Sequence, residues 1–356
     1  MMGKNIRGAV IGCGFFALNH LNAWRDLGVD LAVCDRDADK ARQAATEFGA
    51  RAWYTDAAEM FAHEQLDFVD IVTTMPSHRA LVSLALAHRV PTIVQKPFAP
   101  TWDDCVTMVE QSRSAGVPLM VHENFRFQTP MLRAAEIVHS GEIGEPTWAR
   151  ISFRTNHDVY ANQPYLAEEE ELILLDLGIH LFDLARVFMG EVETVSCMTQ
   201  RVNPRVRAED QATALLRHAS GAASIVDCSF ESRQEREIFP QTLLHVEGRR
   251  GSVSVGADFA MTVVSDGIVR KENPAPRPRP WASGPALVVQ ESVMNACAHW
   301  LECQARGVEP ATSGEDNLKT YALVGAAYDS ARSGTLARPR VLMPRETPPT
   351  AKAMAS

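Results

Sequence analysis

VIGCGFFALNH, residues 10–20, is an apolar strand run that breaks on two closely spaced glycines and resumes as a helix. Gly12 and Gly14 remove side chains where a backbone would have to approach a pyrophosphate. The helix that follows offers free N–H groups and the positive end of its dipole. Where a third glycine is usual the chain has Ala17, an accepted substitute at a position whose task is close packing of helix on strand. Phe15 and Phe16 fall in the middle of the turn, where their backbone N–H groups can serve a pyrophosphate and their rings can shield it. A glycine turn alone is equally a plain strand-to-helix bend, so its surroundings carry the reading.

The next strand run, VDLAVCD, ends in Asp35, about 20 residues past the glycines, where a carboxylate can accept both hydroxyls of an adenosine ribose. The same carboxylate would repel a 2′-phosphate, which favours NAD over NADP. Arg36 tempers that preference, since a guanidinium there can pair with a phosphate or stack on adenine. From residue 5 to about 125 such runs alternate with amphipathic helical stretches, through FVDIVTT, PTIVQKP and VPLMVHENF. Strand runs without polar alternation, each followed by a helix, predict a parallel sheet covered on both faces. Ligands of such sheets bind beyond the carboxyl ends of the strands. Two further stretches fall there: TTMPSH (73–78), with Thr74, Pro76 and His78 as cofactor-side candidates, and QKPFAP (95–100), with Gln95 and Lys96. The proline after Lys96 biases it away from helix.

Beyond PMLRAAEIVHSGEIGEP, read as a linking helix ended by Gly141 or Gly144, the pattern changes. TWARISFRT, VETVSCMTQ, ATALLRH, GAASIVDCSF, TLLHVEG and GSVSV alternate with period two, as in an antiparallel sheet with one face covered. GIHLFDLARVFMG interrupts them as a helix, and residues 288–306 and 315–333 read as two late helices. The expectation is an α/β chain: an N-terminal Rossmann, doubly wound parallel sheet over residues 1–125, then a C-terminal α+β domain over 126–345. The second domain carries a large, mostly antiparallel open sheet, and 346–356 reads as a flexible tail.

Bulk properties narrow the function classes. At 356 residues with 46% hydrophobic and 22% charged residues, the chain has room for two globular domains. Its formal charge of −9 argues against nucleic acid or an anionic membrane as a partner. The seven cysteines are scattered without a CxxC pair, which fits buried free thiols rather than disulfides or zinc. No apolar run of about 20 residues is present, and MMGKNIRGAVIGCG enters a strand pattern with no leader-like segment. A cytoplasmic chain acting on a small molecule is expected.

In LILLDLGIHLFD (172–183), Asp176 and His180 are four apart and share one face if the segment is helical. They are either a catalytic pair or a core histidine hydrogen-bonded to Asp176; spacing leaves both open. Arg154, His157 and Tyr165, in RISFRTNHDVYANQPYL, are candidates for lining a substrate pocket or ordinary strand and loop residues.

Taken together, GCGFFA (12–17), CDRD (34–37), QKP (95–97), NFRF (124–127) and DLGIH (176–180) resemble the glucose-fructose oxidoreductase, inositol dehydrogenase and MocA (Gfo/Idh/MocA) family. The late GEDNLKTYALVGAAYDSARSG extends the resemblance over nearly the whole chain. It implies an NAD-dependent sugar dehydrogenase, working as a homodimer or homotetramer whose sheets pack face to face. By that resemblance Lys96 contacts the reacting oxygen and the nicotinamide ribose, His180 is the proton acceptor, Asp176 belongs with it, and Asn124 is a substrate-side polar residue. Gln95 departs from the family, most members having glutamate there. PSHRALV, QKPFA, VHENFRF and QPYLAE are similar to members that oxidise the anomeric carbon of a branched pentose to a lactone. Chemically, His180 has an ordinary pKa near 6.5 suited to proton removal, Asp176 can orient its imidazole, and Lys96 can stabilise an alkoxide.

Three rivals stand beside this reading. Inositol or polyol oxidation would use the same residues. A non-catalytic NAD or sugar sensor could discard Lys96 or His180, which this chain keeps. A metal hydrolase built on His122, Glu123, Asp176 and His180 lacks any HExxH-like spacing, and no metal is expected.

Overall fold

The computed structural model describes residues 5–282, 284 and 286–341. The tail expected at 346–356 lies outside the described residues, as do 1–4 and 342–345 at the ends of the two expected domains. In the first part, strands and helices alternate: β1 (Arg7–Ile11), α1 (Ala17–Asp26), β2 (Asp30–Cys34), α2 (Ala38–Phe48), β3 (Ala52–Tyr54), α3 (Ala57–His63), β4 (Phe68–Ile71), α4 (His78–Ala87), β5 (Thr92–Gln95), α5 (Trp102–Ala115) and β6 (Leu119–His122). All six strands pair in parallel in the order β3-β2-β1-β4-β5-β6. Every residue of β4, β5 and β6 is buried, which is why their sequences are mostly apolar with no polar alternation. The strand order reverses between β1 and β4, and that opens a crevice at their carboxyl ends.

The second part runs α6 (Thr129–His139), β7 (Pro146–Arg154), α7 (Ile179–Met189), β8 (Val192–Gln200), β9 (Gln211–His218), β10 (Ala223–Ser229), β11 (Leu243–Gly248), β12 (Gly251–Val255), β13 (Met261–Ser265), β14 (Ile268–Glu272), α8 (Leu287–Arg306) and α9 (Gly314–Ser333). The expected linking helix is α6, closed by Gly141 at φ +76°. Eight strands form one open sheet, β14-β13-β12-β11-β7-β10-β9-β8, antiparallel except where β7 meets β10. Strands β13 and β14 were not among the expected runs. One face of this sheet is covered by α7 and α9: Ile151, Phe153, Leu216 and Val226 share a core with Leu181, Phe182, Leu184 and Ala327.

Helix α8 follows the second sheet in sequence yet packs on the first. Its Val293, Ala296, Cys297 and Trp300 share a core with Val10, Leu21, Trp24 and Phe68, and Trp300 meets Phe68 edge-on at 6.3 Å. Helix α9 spans the two cores, with Leu318 in the first and Leu323 and Ala327 in the second. All seven cysteines are free, six buried and Cys13 half-buried. Among the described residues no helix is long and apolar enough to cross a membrane.

Because Trp300 is fully buried and seals α8 onto the first sheet, Trp300→Ala should cost about 3–5 kcal/mol. Urea unfolding checks this, and a wild-type midpoint would show that α8 adds nothing to that core.

Candidate active site

The crevice between β1 and β4 accepts a group that side chains would block. Gly12 sits at φ +99°, and a Cβ there would lie 2.6 Å from the Val72 carbonyl oxygen, so only glycine fits. At Gly14 an added Cβ meets no atom within 4 Å; the space beside it is open. Helix α1 begins here with no acidic residue in its first turn and no side-chain cap, leaving its positive end unneutralised. Asp35 closes the far side of the turn. One of its oxygens accepts the Cys13 N–H at 2.8 Å and the other the Asp37 N–H at 2.9 Å, and each keeps a lone pair for a ribose hydroxyl. These features suit a dinucleotide.

Phe15, Arg36, Thr74 and Pro76 are exposed around this crevice, and Phe16 packs edge-on to His20 at 5.7 Å. His78 departs from its expected role. It is fully buried, its Nε2 3.0 Å from the Thr73 carbonyl and its Nδ1 3.1 Å from those of Pro97 and Phe98. Burial holds its pKa below the ordinary value. His78 therefore staples the turn after β4 to the turn after β5 instead of facing a ligand.

Gln95 ends β5 and points into the core, where its Nε2 meets His20 Nε2 at 3.0 Å and its Oε1 accepts the Lys96 N–H at 2.7 Å. His20 in turn meets Asp70 at 2.7 Å, and Trp24 donates to the same carboxylate oxygen. Lys96 points the other way, across the cleft. Its Nζ donates to both the carboxylate and the backbone carbonyl of Asp176, each at 2.8 Å.

Asp176 lies in a wide π-type turn, Leu174–Gly178, that runs directly into α7. The wide turn breaks the expected i,i+4 alignment, and Asp176 takes Lys96 rather than His180 as its partner. The carboxylate against His180 Nδ1 is that of Glu123, the residue after β6. His180 lies flat on Phe125, rings 3.8 Å apart and 3° from parallel. Its Nε2 has no hydrogen-bond partner among the described residues and is not fully sealed from solvent, which leaves it open to a ligand. Burial, reinforced by the Lys96 charge, holds the imidazole pKa well below 6.5, lower than its sequence suggests.

The substrate-side candidates separate. Tyr165 is half exposed at the rim, hydrogen-bonded to Gln163 at 2.9 Å. Burial of part of its ring and the Asp176 carboxylate push its hydroxyl up to about 12. His157 is exposed and stacks on Phe239 at 4.2 Å. Asn124 is buried, its Nδ2 donating to Ser292 of α8 at 2.6 Å. Arg154 is not brought to the cleft: Ile151 and Phe153 face the core, so strand parity turns Arg154 to the open face, 3.5 Å from Asp227. The four residues of the metal-hydrolase rival are divided as well. Glu123 meets His180, Asp176 meets Lys96, and His122 lies against Cys297 and His20.

Sequence reasoning missed Glu123 as a partner of His180, although the strand-end rule that singled out Thr74 and Gln95 applies equally to it. It also missed Asp70, whose charge inside the apolar run FVDI was a visible signal. Tyr160 was missed too; its hydroxyl is buried with no partner among the described residues.

Residues 6–123 match the model of an oxidoreductase family with an NAD-binding Rossmann fold, and residues 131–254 match that of a GFO/IDH/MocA C-terminal domain. A D-apiose dehydrogenase of Paraburkholderia graminis is 50% identical over 93% of this chain and 89% of its own. One from Rhizobium rhizogenes is 47% identical over 92% and 96%. The crystal structure of an oxidoreductase from Agrobacterium radiobacter, in complex with NAD+, L-tartaric acid and magnesium, superposes with a TM-score of 0.92. It is 46% identical and covers 94% of this chain and 98% of its own. The first domain of the chain is an NAD-binding Rossmann domain.

The two glycines should separate folding from binding. Gly12→Ala should destabilise the protein by about 1–3 kcal/mol through backbone strain and abolish NADH binding. Gly14→Ala should melt with the wild type yet bind NADH at least about tenfold more weakly, because its methyl occupies ligand space. Thermal melts and NADH fluorescence titration check both, and tight NADH binding by Gly14→Ala would refute the assignment of that space.

Proposed function

The chain belongs to the Gfo/Idh/MocA family of NAD-binding oxidoreductases, and from that premise we propose that it is a D-apiose dehydrogenase, oxidising the anomeric carbinol carbon to the lactone. The relatives named above support the substrate. The observation that carries the chemistry is the Lys96–Asp176 contact at 2.8 Å beside the open Nε2 of His180, at the carboxyl edge of an NAD-binding sheet.

Bound NAD+ supplies the hydride acceptor at its nicotinamide ring. Gly12, Gly14 and the start of α1 hold the pyrophosphate, with Phe15 and Phe16 flanking it, and Asp35 the adenosine ribose, with Arg36 beside it. Thr74, Pro76 and Lys96 line the nicotinamide side. Two of the three ammonium protons of Lys96 are spent on Asp176; the third is free to donate to the reacting sugar oxygen and to stabilise its developing charge. His180, kept neutral by burial, takes the hydroxyl proton on Nε2. The second oxygen of Asp176 remains to accept a neighbouring sugar hydroxyl, and Tyr165 and His157 border the opening.

We take the enzyme to be cytoplasmic and to work as a homodimer or homotetramer. Met198 and Leu215 stand exposed on the open face of β8 and β9, a surface that a second copy would cover. Light scattering should return a mass of two or four chains.

NADH formation should be fastest with D-apiose in a panel with other aldopentoses and myo-inositol. His180→Ala and Lys96→Ala should each lower kcat by about 10²–10⁴-fold while NADH binding persists in His180→Ala. Preference for another sugar would overturn the substrate; near wild-type turnover of either variant would overturn the mechanism.

A further inference from the structure

Glu123, the residue after β6 that meets His180, takes no part in the steps above. It is fully buried. One carboxyl oxygen lies against His180 Nδ1 and also accepts the Phe125 N–H at 3.3 Å; the other has no hydrogen-bond partner among the described residues. A carboxylate sealed from water with a bare oxygen is costly, and among the described residues its one titratable partner within hydrogen-bond reach is the imidazole. Phe125 holds that imidazole by its face, so the ring presents only its two nitrogens, Nδ1 inward to Glu123 and Nε2 outward.

We propose that Glu123 is the positioning residue and final proton store of His180: it fixes Nδ1–H inward, and the proton that Nε2 takes from the substrate is matched by transfer of the Nδ1 proton to Glu123. The proposal rests on the reading of His180 as proton acceptor. Bonds balance across the pair. The substrate O–H and the Nδ1–H bonds break, the Nε2–H and Glu123 O–H bonds form, and the sealed pair passes from a single negative charge to neutral without ever holding an imidazolium.

The surrounding charges are divided over that outcome, and burial decides it. Lys96, from the turn after β5, disfavours positive charge on His180 and favours negative charge on Glu123, as does Arg126 from Glu123's own segment. Asp176 from the wide turn and Asp183 from α7 act on His180 in the opposite sense. Burial outweighs them all: it pushes the Glu123 carboxyl up to about 7 and the His180 imidazole well below 6.5. The first proton bound as pH falls through about 7 therefore belongs on the carboxyl, the reverse of an ordinary Glu–His pair. The competent base is the unprotonated pair, so activity should fall on the acid side of that value.

The test compares wild type with Glu123→Gln, whose amide oxygen still accepts the Nδ1–H but cannot take the proton. Infrared difference spectra of both proteins, without sugar, are recorded through the neutral range. The expected result is a buried carboxylic-acid carbonyl band that grows as wild type is acidified through about 7 and is missing in Glu123→Gln. With sugar and NAD, Glu123→Gln should melt within a few degrees of wild type and bind NADH normally. Its kcat should fall about 10²-fold or more, with the acid limb of kcat/KM moved down by at least about one pH unit. Absence of the band from wild type, or an unmoved acid limb in Glu123→Gln, overturns the proposal. Should wild type oxidise no sugar, the functional reading fails and the infrared arm still decides whether Glu123 stores the proton.

Discussion

The geometry of the cleft depends on one carboxylate that never meets water, that of Asp183. It is fully buried on α7, and Arg126, from the segment after β6, grips both of its oxygens. Thr320 of α9 donates to it at 3.0 Å, while Arg186, one turn along α7, reaches Asp316 of α9 at 2.7 Å. Removing one partner from a buried pair of this kind leaves a desolvated charge worth several kcal/mol, so α7 has a single place to lie. The consequence for chemistry lies in the spacing. Glu123 and Arg126 are three residues apart on one segment, and their partners His180 and Asp183 are three apart on α7. Two contacts in matched register fix both the rotation and the translation of the helix that presents Nε2.

The second element of the cleft, Lys96, is fixed from the opposite direction. Its backbone N–H is tied to the Gln95 side chain, and the His78 staple holds the turn after it. Its ammonium then crosses to Asp176, where the wide turn has let the carboxylate swing out of line with His180. A regular helix there would stack Asp176 over His180 and leave Lys96 without its carboxylate. π-type turns recur at functional positions, and here the widening serves two partners from a four-residue spacing.

These cases show what can be read from sequence alone. The parallel sheet, the glycine turn and Asp35 were legible because each is set locally, by strand burial, by a backbone position that only glycine fills, and by a fixed distance along one strand–helix–strand unit. Arg154 was misjudged although parity in RISFR, with Ile151 and Phe153 apolar, already put it on the other face. The partner of His180 was not legible, because the DLGIH spacing offered a nearer carboxylate and nothing local reports a widened turn. Nor was the seat of α8: its apolar stripe says that it packs, and only the tertiary fold says that it packs on α1.

Gln95 illustrates how a family departure can leave a buried network intact. Its Oε1 is committed to the Lys96 N–H, so its amide NH₂ must face His20 Nε2, which then accepts; the His20 proton lies on Nδ1 and goes to Asp70. The set Asp70, His20, Gln95 thus carries one negative charge. With the family's usual glutamate at 95, the same geometry would set a carboxyl oxygen against Nε2, and a further proton, held on the carboxyl or on Nε2, would be needed to make that contact favourable. With that proton on His20, two carboxylates and one imidazolium again sum to one negative charge. The amide reaches that total with two fewer buried charges than this ionised form and with no proton to bind, while the contact that orients the Lys96 backbone is unchanged. This is why the substitution falls beneath the lysine and not on it.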